Sequence, residues 1–336
     1  MDRPIVVAGA GSIGCFVGGM LASAGKHVSL LARSRVIEEV GRFGLTLTSV
    51  GGSLHRVARE RLKLSDDPAI LGDAGMVLVT VKSADTAGVA ELIAHHAPSD
   101  AVIVSLQNGV ANAQVLRQRM PGRKVLAAMV PFNVIAAGEG RFHRATSGDI
   151  VIERDEAKTC ARLSVEGLAV RATDDIAGVQ WGKLLINLNN AMDALSGLTL
   201  REELTQRSWR MLFADQMAEG LRIMKLEGIV PVSSTPLPLS WIPHLLRLPD
   251  ALFALVLARV MKIDPQARSS MYDDLQRGRR TEIDFLQGAI IEIAARRGLE
   301  APLSRRILGL IKDAEVAGKG SPRLTVEQIR SGIGRP

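Results

Sequence analysis

Lys183, Asn187 and Asn190 stand four and three residues apart in WGKLLINLNNA, a stretch that is otherwise apolar. On a helix that spacing puts an ammonium and two amides on or near one face. A lysine at the edge of an apolar helix ordinarily snorkels to water. Two asparagines on the same side give the polar face a use: the ammonium can protonate an oxygen and steady its developing charge, and an amide can orient that oxygen. A second polar stretch, SSMYDDLQRGRRTEIDFLQG, covers residues 269–288. Ser269 and Ser270 sit near an expected helix start, where hydroxyls cap the helix or bind anions. Glu282 is expected near the middle of that helix, either as an exposed carboxylate or as an inward one facing Lys183 or a cofactor ribose.

A hydride carrier that would need such an acid has its signature at the N-terminus. Gly9, Ala10, Gly11, Ser12, Ile13 and Gly14 follow the strand-like PIVVAG and open a helix expected over 12–24. That is the setting the GxGxxG fingerprint requires. The first glycine makes the tight turn, the second lets backbone approach a pyrophosphate, and the third permits close helix–strand packing. The helix start adds free N–H groups and a positive dipole end. After the second expected strand, 27–32, the chain reads LLARSR, with Arg33 and Arg35 and no acid. An NAD site ordinarily carries Asp or Glu there for the ribose 2′-hydroxyl, whereas arginine suits a 2′-phosphate. The expected cofactor is therefore NADP(H), with solvent-facing loop arginines as the plainer alternative. Lys82 in VTVK and Asn108 in QNG each follow a strand directly, where open α/β sheets bind ligands. Asn108 can bond ribose, nicotinamide or substrate, although Asn-Gly is also a common turn. Hydride transfer to a carbonyl leaves an alkoxide, and Lys183, its pKa depressed by partial burial, is the expected general acid.

The elements that must position these groups follow from hydrophobic pattern. Apolar runs at 4–9, 27–32, 76–82, 101–106, 124–130 and 148–153 read as strands, residues 45–58 as a hairpin around Gly51-Gly52, and 85–97 as a helix. Such βαβ alternation predicts a parallel sheet covered on both faces. From about residue 175 the period changes, and helices are expected over 176–195, 202–227, 250–262, 268–297 and 303–316. The expected class is α/β: an N-terminal Rossmann-type, doubly wound domain over 1–174, which binds NADP, then an all-helical substrate or dimerisation domain over 175–336.

Bulk composition narrows the alternatives. The 336 residues are 47% hydrophobic and 23% charged, as in a soluble globular protein of about two domains. The net charge of +7 comes with only 3% aromatics and dispersed arginines, which argues against nucleic acid and for anionic small molecules. The greasiest segment, ALFALVLA at 251–258, is far too short to cross a membrane. Cys15 and Cys160 supply neither a disulfide framework nor a metal-ligand cluster, and the chain enters a strand pattern at once, without a signal-peptide layout. A cytoplasmic location is expected.

The order GxGxxG, VTVK, QNG, WGKLLIN, SSM and RRTEIDFLQG resembles the ketopantoate reductases (2-dehydropantoate 2-reductases) over nearly the whole chain. The resemblance implies NADPH-dependent reduction of 2-dehydropantoate to (R)-pantoate in pantothenate biosynthesis. It implies that Lys183 is the general acid, that Asn108 and Asn187 contact substrate or cofactor, and that Ser270 holds the substrate carboxylate. Glu282 would hold the cofactor or a substrate hydroxyl, and Lys82 and Arg33 would lie on the cofactor side. Three substrate-side asparagines common in the family are replaced, by Ala191 (with Asn190 beside it), Arg201 and Ala267. That motivates a rival: a reductase of another 2-keto acid on the same scaffold. A non-catalytic NADP sensor is a further alternative, but it would need the glycines and Arg33 and not a proton donor. The long proline-rich and apolar stretch 230–262 is the candidate for reshaping the pocket or for a homodimer contact through the helical domain.

Overall fold

The computed structural model describes residues 3–157, 159–233, 237–260 and 268–331, without the side chains of 256–260. Ala267 lies outside the described residues. Contacts divide the chain into two compact units, Met1–Ile176 and Ala177–Pro336.

The first unit contains twelve strands among the described residues: β1 (Ile5–Ala8), β2 (Val28–Leu31), β3 (Leu45–Ser49), β4 (Leu54–Val57), β5 (Leu62–Ser65), β6 (Met76–Val79), β7 (Val102–Ser105), β8 (Val125–Met129), β9 (Val134–Gly138), β10 (Arg141–Arg144), β11 (Ile150–Glu153) and β12 (Val170–Thr173). Eight of them form one sheet in the order β12-β11-β8-β7-β6-β1-β2-β5. The central strands are buried on both faces, as their unbroken Val/Ile/Leu runs require. Helices α1 (Ser12–Ser23), α2 (Ser34–Phe43), α3 (Thr86–His96), α4 (Asn112–Arg119) and α5 (Thr159–Leu163) connect the strands. The sheet is not wholly parallel: β11 runs antiparallel to β8.

A second sheet, β4-β3-β10-β9, is built on the expected hairpin, with β3 and β4 antiparallel across Gly51-Gly52. Strands β5, β9, β10 and β12 escape the sequence: β5 (LKLS) and β12 (VRAT) are short and mixed, β9 (VIAAG) is apolar but mostly exposed, and β10 reads RFHR. The small sheet explains why α1 is apolar nearly all round. Gly18 packs on Val7, Val28 and Leu30 of the large sheet, and Gly19 on Leu45 and Leu47 of the small one. Each large side chain buried in that sandwich contributes about 1.5–3 kcal/mol.

The second unit is helical: α6 (Ile176–Asn187, its first residue belonging to the other unit), α7 (Asn189–Ser196), α8 (Leu200–Thr205), α9 (Arg207–Glu227), α10 (Ile242–Leu246), α11 (Asp250–Val260), α12 (Ser270–Gln276), α13 (Ile283–Arg296), α14 (Pro302–Ala317) and α15 (Val326–Arg330). Three helices expected as continuous are interrupted. The 176–195 run is divided only at Leu188, a turn residue that keeps helical torsions (φ −56°, ψ −28°) and whose carbonyl accepts from Gln287 Nε2 at 2.9 Å. The 202–227 run breaks at Gln206, which is extended at φ −101° and ψ 117°. The 268–297 run breaks over 277–282, where Gly278 has φ +59° and Thr281 donates through its amide and hydroxyl to Glu315. Hydrophobic period cannot register these breaks, because the apolar phase resumes after each.

Helix α7 is bound to its surroundings by polar side chains. Glu203 is buried and accepts from Asn189 Nδ2 at 2.8 Å and Ser196 Oγ at 3.0 Å. Burial, and then the neighbouring Asp193 charge, push the Glu203 carboxyl up to about 8. Burial likewise pushes Asp193 up to about 6, against the bonds it accepts from Ser269. A carboxyl whose folded pKa is raised keeps its proton where the unfolded chain has lost it, so stability falls as pH rises from the ordinary value to the raised one. For Glu203 that window runs from 4.5 to about 8. Trp181, Trp209 and Trp241 all lie in this unit, so tryptophan fluorescence reports its unfolding. Its urea midpoint should be higher at pH 5.5 than at pH 8.5, by on the order of a few kcal/mol in stability. In Glu203→Gln most of that difference should disappear.

Candidate active site

The glycine-rich turn lies at the topological switch point, where β1 is flanked by β2 on one side and β6 on the other. Gly9 has φ +95°, and a Cβ there would lie 2.4 Å from Val81 Cγ1 and 2.8 Å from its amide nitrogen, so no other residue fits. At Gly14 a Cβ would meet Thr80 Oγ1 at 2.6 Å. Thr80 donates to the Gly9 carbonyl at 2.8 Å, which ties the turn to the end of β6. Ala10 is buried, whereas Ser12 and Ile13 open α1 half-buried. Gly11 differs from its neighbours. It is exposed, and among the described residues, its chain neighbours and its own helix backbone aside, a Cβ there would meet only the Gly9 carbonyl oxygen, at 3.9 Å. It is the N-cap of α1 and provides no side-chain cap. Open backbone at the start of a twelve-residue helix suits a phosphate.

Arg33 follows β2 as the N-cap residue of α2, with its side chain 90% exposed and 4.0 Å from the Asp85 carboxylate. An acid therefore does stand beside the arginine, but it comes from the loop after β6, where a reading of the β2 end alone could not find it. Lys82 is exposed and precedes the turn of 3-10 helix Ser83–Asp85. Asn108 follows β7, half-buried, and its carbonyl accepts from Ser83 Oγ and Asn112 Nδ2. Gln107 Nε2 donates to Thr86 Oγ1 at 2.7 Å and to the Val81 carbonyl at 3.2 Å. Thr80, Ser83, Gln107 and Asn112 thus fix the strand ends, a supporting role that short polar residues after a strand do not announce in sequence.

In the second unit, Lys183 is half-buried on α6. Burial pushes its ammonium down to about 8 from the ordinary 10.5, and the Glu282 charge works in the opposite direction. The sequence expectation for Glu282 needs one correction: it is not mid-helix but the N-cap residue of α13, at φ −98° and ψ 25°, after the interruption at 277–282. That interruption takes Glu282 off a helix flank, and its carboxylate is half-buried and acts on Lys183.

Asn187 ends α6 and Asn190 lies in the first turn of α7, both half-buried. The break at Leu188 separates them, so they do not share one uninterrupted helix. Ser270, the first residue of α12, is exposed, and the capping role falls to its neighbour. Ser269 Oγ accepts from the Tyr272 amide and lies within hydrogen-bond range of Asp193 Oδ1 (2.7 Å) and the Asn190 carbonyl (2.9 Å). Ala191 is fully buried and Arg201 is exposed.

The proline-rich stretch has a definite contact. The Val232 amide donates to the Gly178 carbonyl at 2.8 Å, and a Cβ on Gly182 would lie 2.0 Å from the Val232 carbonyl oxygen. Gly182, next to Lys183, leaves room for that backbone. Among the described residues no His/Cys/Asp/Glu group could hold a metal ion, and no helix is long and apolar enough to cross a membrane.

This arrangement has close counterparts. The pattern of the ketopantoate reductase PanE/ApbA family matches residues 5–156, and that of its C-terminal part matches 175–315. The chain is 29% identical to the 2-dehydropantoate 2-reductase of Halobacterium salinarum, covering 94% of this chain and 99% of that one. The crystal structure of a PanE/ApbA family ketopantoate reductase from Ralstonia eutropha JMP134 superposes with a TM-score of 0.78 at 31% identity, covering 94% and 99%. D-Mandelate dehydrogenase, solved with NADH and anilino(oxo)acetate, has the same fold at a TM-score of 0.77 and 19% identity, again covering 94% and 99%. With both of its units matched and these relatives spanning its length, the chain belongs to the ketopantoate reductase family of oxidoreductases.

Proposed function

We propose that the protein reduces 2-dehydropantoate to (R)-pantoate with NADPH, in pantothenate biosynthesis. The observation that carries this reading is Lys183, an ammonium brought down to about 8 by burial beside the Glu282 carboxylate. A general acid works best with its pKa near the working pH. The Gly9–Gly14 turn and the start of α1 fit a pyrophosphate, because Gly11 is open. Arg33 would take the 2′-phosphate, and Lys82 and Asn108 would hold the rest of the cofactor. When bound, that cofactor supplies a hydride to the substrate carbonyl carbon. Lys183 Nζ donates its proton to the carbonyl oxygen, and its charge steadies that oxygen as the proton moves. Glu282 keeps the lysine protonated to higher pH than burial alone would allow. Asn187 and Asn190 orient substrate oxygens, and Ser270 receives the carboxylate. The same ammonium would serve another 2-keto acid, and the buried Ala191 in place of an asparagine is the observation in favour of that second reading.

Three outcomes test the proposal. NADPH should bind much more tightly than NADH, and Arg33→Ala should weaken NADPH by roughly tenfold or more while leaving NADH nearly unchanged, since one charge-assisted contact is worth about 1.5–3 kcal/mol. Equal affinity for both cofactors in the wild type would count against NADP. Among keto acids, 2-dehydropantoate should give a higher kcat/KM than pyruvate or 2-oxoisovalerate; a tenfold advantage for another would install the second reading. Lys183→Ala should lower kcat by about 10²–10⁴-fold with NADPH binding intact. Reduction by the wild type should decline above about pH 8, where Lys183 loses its proton. Glu282→Gln removes the charge that raises the lysine, so that decline should move to lower pH.

A further inference from the structure

We infer that Gln287 is a positioning residue for Lys183, acting through the backbone at the junction of α6 and α7; the inference rests on Lys183 being the proton donor. Gln287 lies on α13 with no solvent exposure, and its Nε2 donates to the carbonyl of Leu188 at 2.9 Å. Leu188 is the one residue between the two helices. Leu188 keeps helical torsions, φ −56° and ψ −28°, and its amide donates to the Leu184 carbonyl at 3.0 Å, so the chain passes the junction without reversing, and Gln287 grips its carbonyl from another helix. A second carbonyl of the same turn, that of Asn190, lies 2.9 Å from Ser269 Oγ.

Stability alone does not account for an amide here. Gln287 Oε1 is buried without a hydrogen-bond partner among the described residues. A buried acceptor left unpaired costs about 1–3 kcal/mol, and a methionine of similar shape would avoid that cost. What the amide supplies is register. Glu282, which caps α13, acts on Lys183 of α6, and Gln287 of the same helix holds the residue just beyond α6. One rigid helix thereby sets both the carboxylate opposite the lysine and the point where the lysine's helix ends. A displacement of about 1 Å in such a group can cost up to 10²-fold in rate.

The test is Gln287→Met, which keeps length and burial and removes the donor. Two readouts are needed. The first requires no substrate: acetic anhydride labelling of Lys183 across pH, read by mass spectrometry. Its midpoint in the wild type should lie at about 8, and in Gln287→Met it should rise by about a unit toward that of an ordinary lysine. The second is turnover. Gln287→Met should lose about tenfold or more in kcat, with NADPH affinity unchanged. Combined with Lys183→Ala it should add no more than about twofold to the loss of Lys183→Ala alone, because the two act through one group. An unmoved labelling midpoint, or a loss that adds in full to that of Lys183→Ala, overturns the inference. Full activity in Lys183→Ala would instead overturn the proton-donor reading, and the labelling midpoint would still decide whether Gln287 governs the lysine. Should the methionine variant not fold, Gln287→Asn withdraws the donor by one methylene and should shift the midpoint in the same direction.

Discussion

Taking an ammonium out of water is expensive, and much of the second unit is arranged so that Lys183 stays where it is partly dehydrated and still charged. Burial lowers its proton affinity, the Glu282 carboxylate restores part of it, and the balance falls near neutral pH. Neither term suffices by itself. Full desolvation would leave a neutral amine with no proton to give, and a close ion pair in water would leave an acid too weak to give it. The interruption of 268–297 serves this balance, since it makes Glu282 a helix-start residue.

The first unit obeys a steric constraint instead. Gly9 and Gly14 bring β1, β6 and α1 closer together than any side chain allows, and Thr80 closes the contact with a hydrogen bond. Close packing on the inner side leaves Gly11 open on the outer side. The two units therefore contribute differently: one an exposed backbone surface, the other a buried charge.

Much of this was legible in the sequence, for identifiable reasons. Strands β1, β6, β7 and β8 announce themselves because a sheet covered on both faces needs continuous apolar residues. The glycine turn is legible because its spacing is imposed by sterics and by the phosphate it suits. Lys183, Asn187 and Glu282 stand out as polar groups in apolar surroundings. What stayed hidden depends on partners distant in sequence. Asp85 beside Arg33 comes from another loop 52 residues on. Gln287, which donates to the Leu188 carbonyl, lies ninety-nine residues away. Strand β10, which reads RFHR, pairs with β3 of a hairpin nearly a hundred residues earlier, and β9 joins the sheet only through β10. The buried carboxyls Asp193 and Glu203 read as ordinary helix-surface acids until the helices that cover them are in place.

The seat of Val232 on Gly178 and Gly182 has a consequence for how such an enzyme diversifies. The attachment is between main-chain atoms, an amide to a carbonyl on one side and a carbonyl over a bare Cα on the other. It asks nothing of the Val232 side chain. The residue at 232 can therefore change while keeping its anchorage, provided Gly182 beneath it does not. A lineage on this scaffold could vary the residue lying over α6 next to Lys183, and the helix that carries the lysine would keep its own sequence throughout.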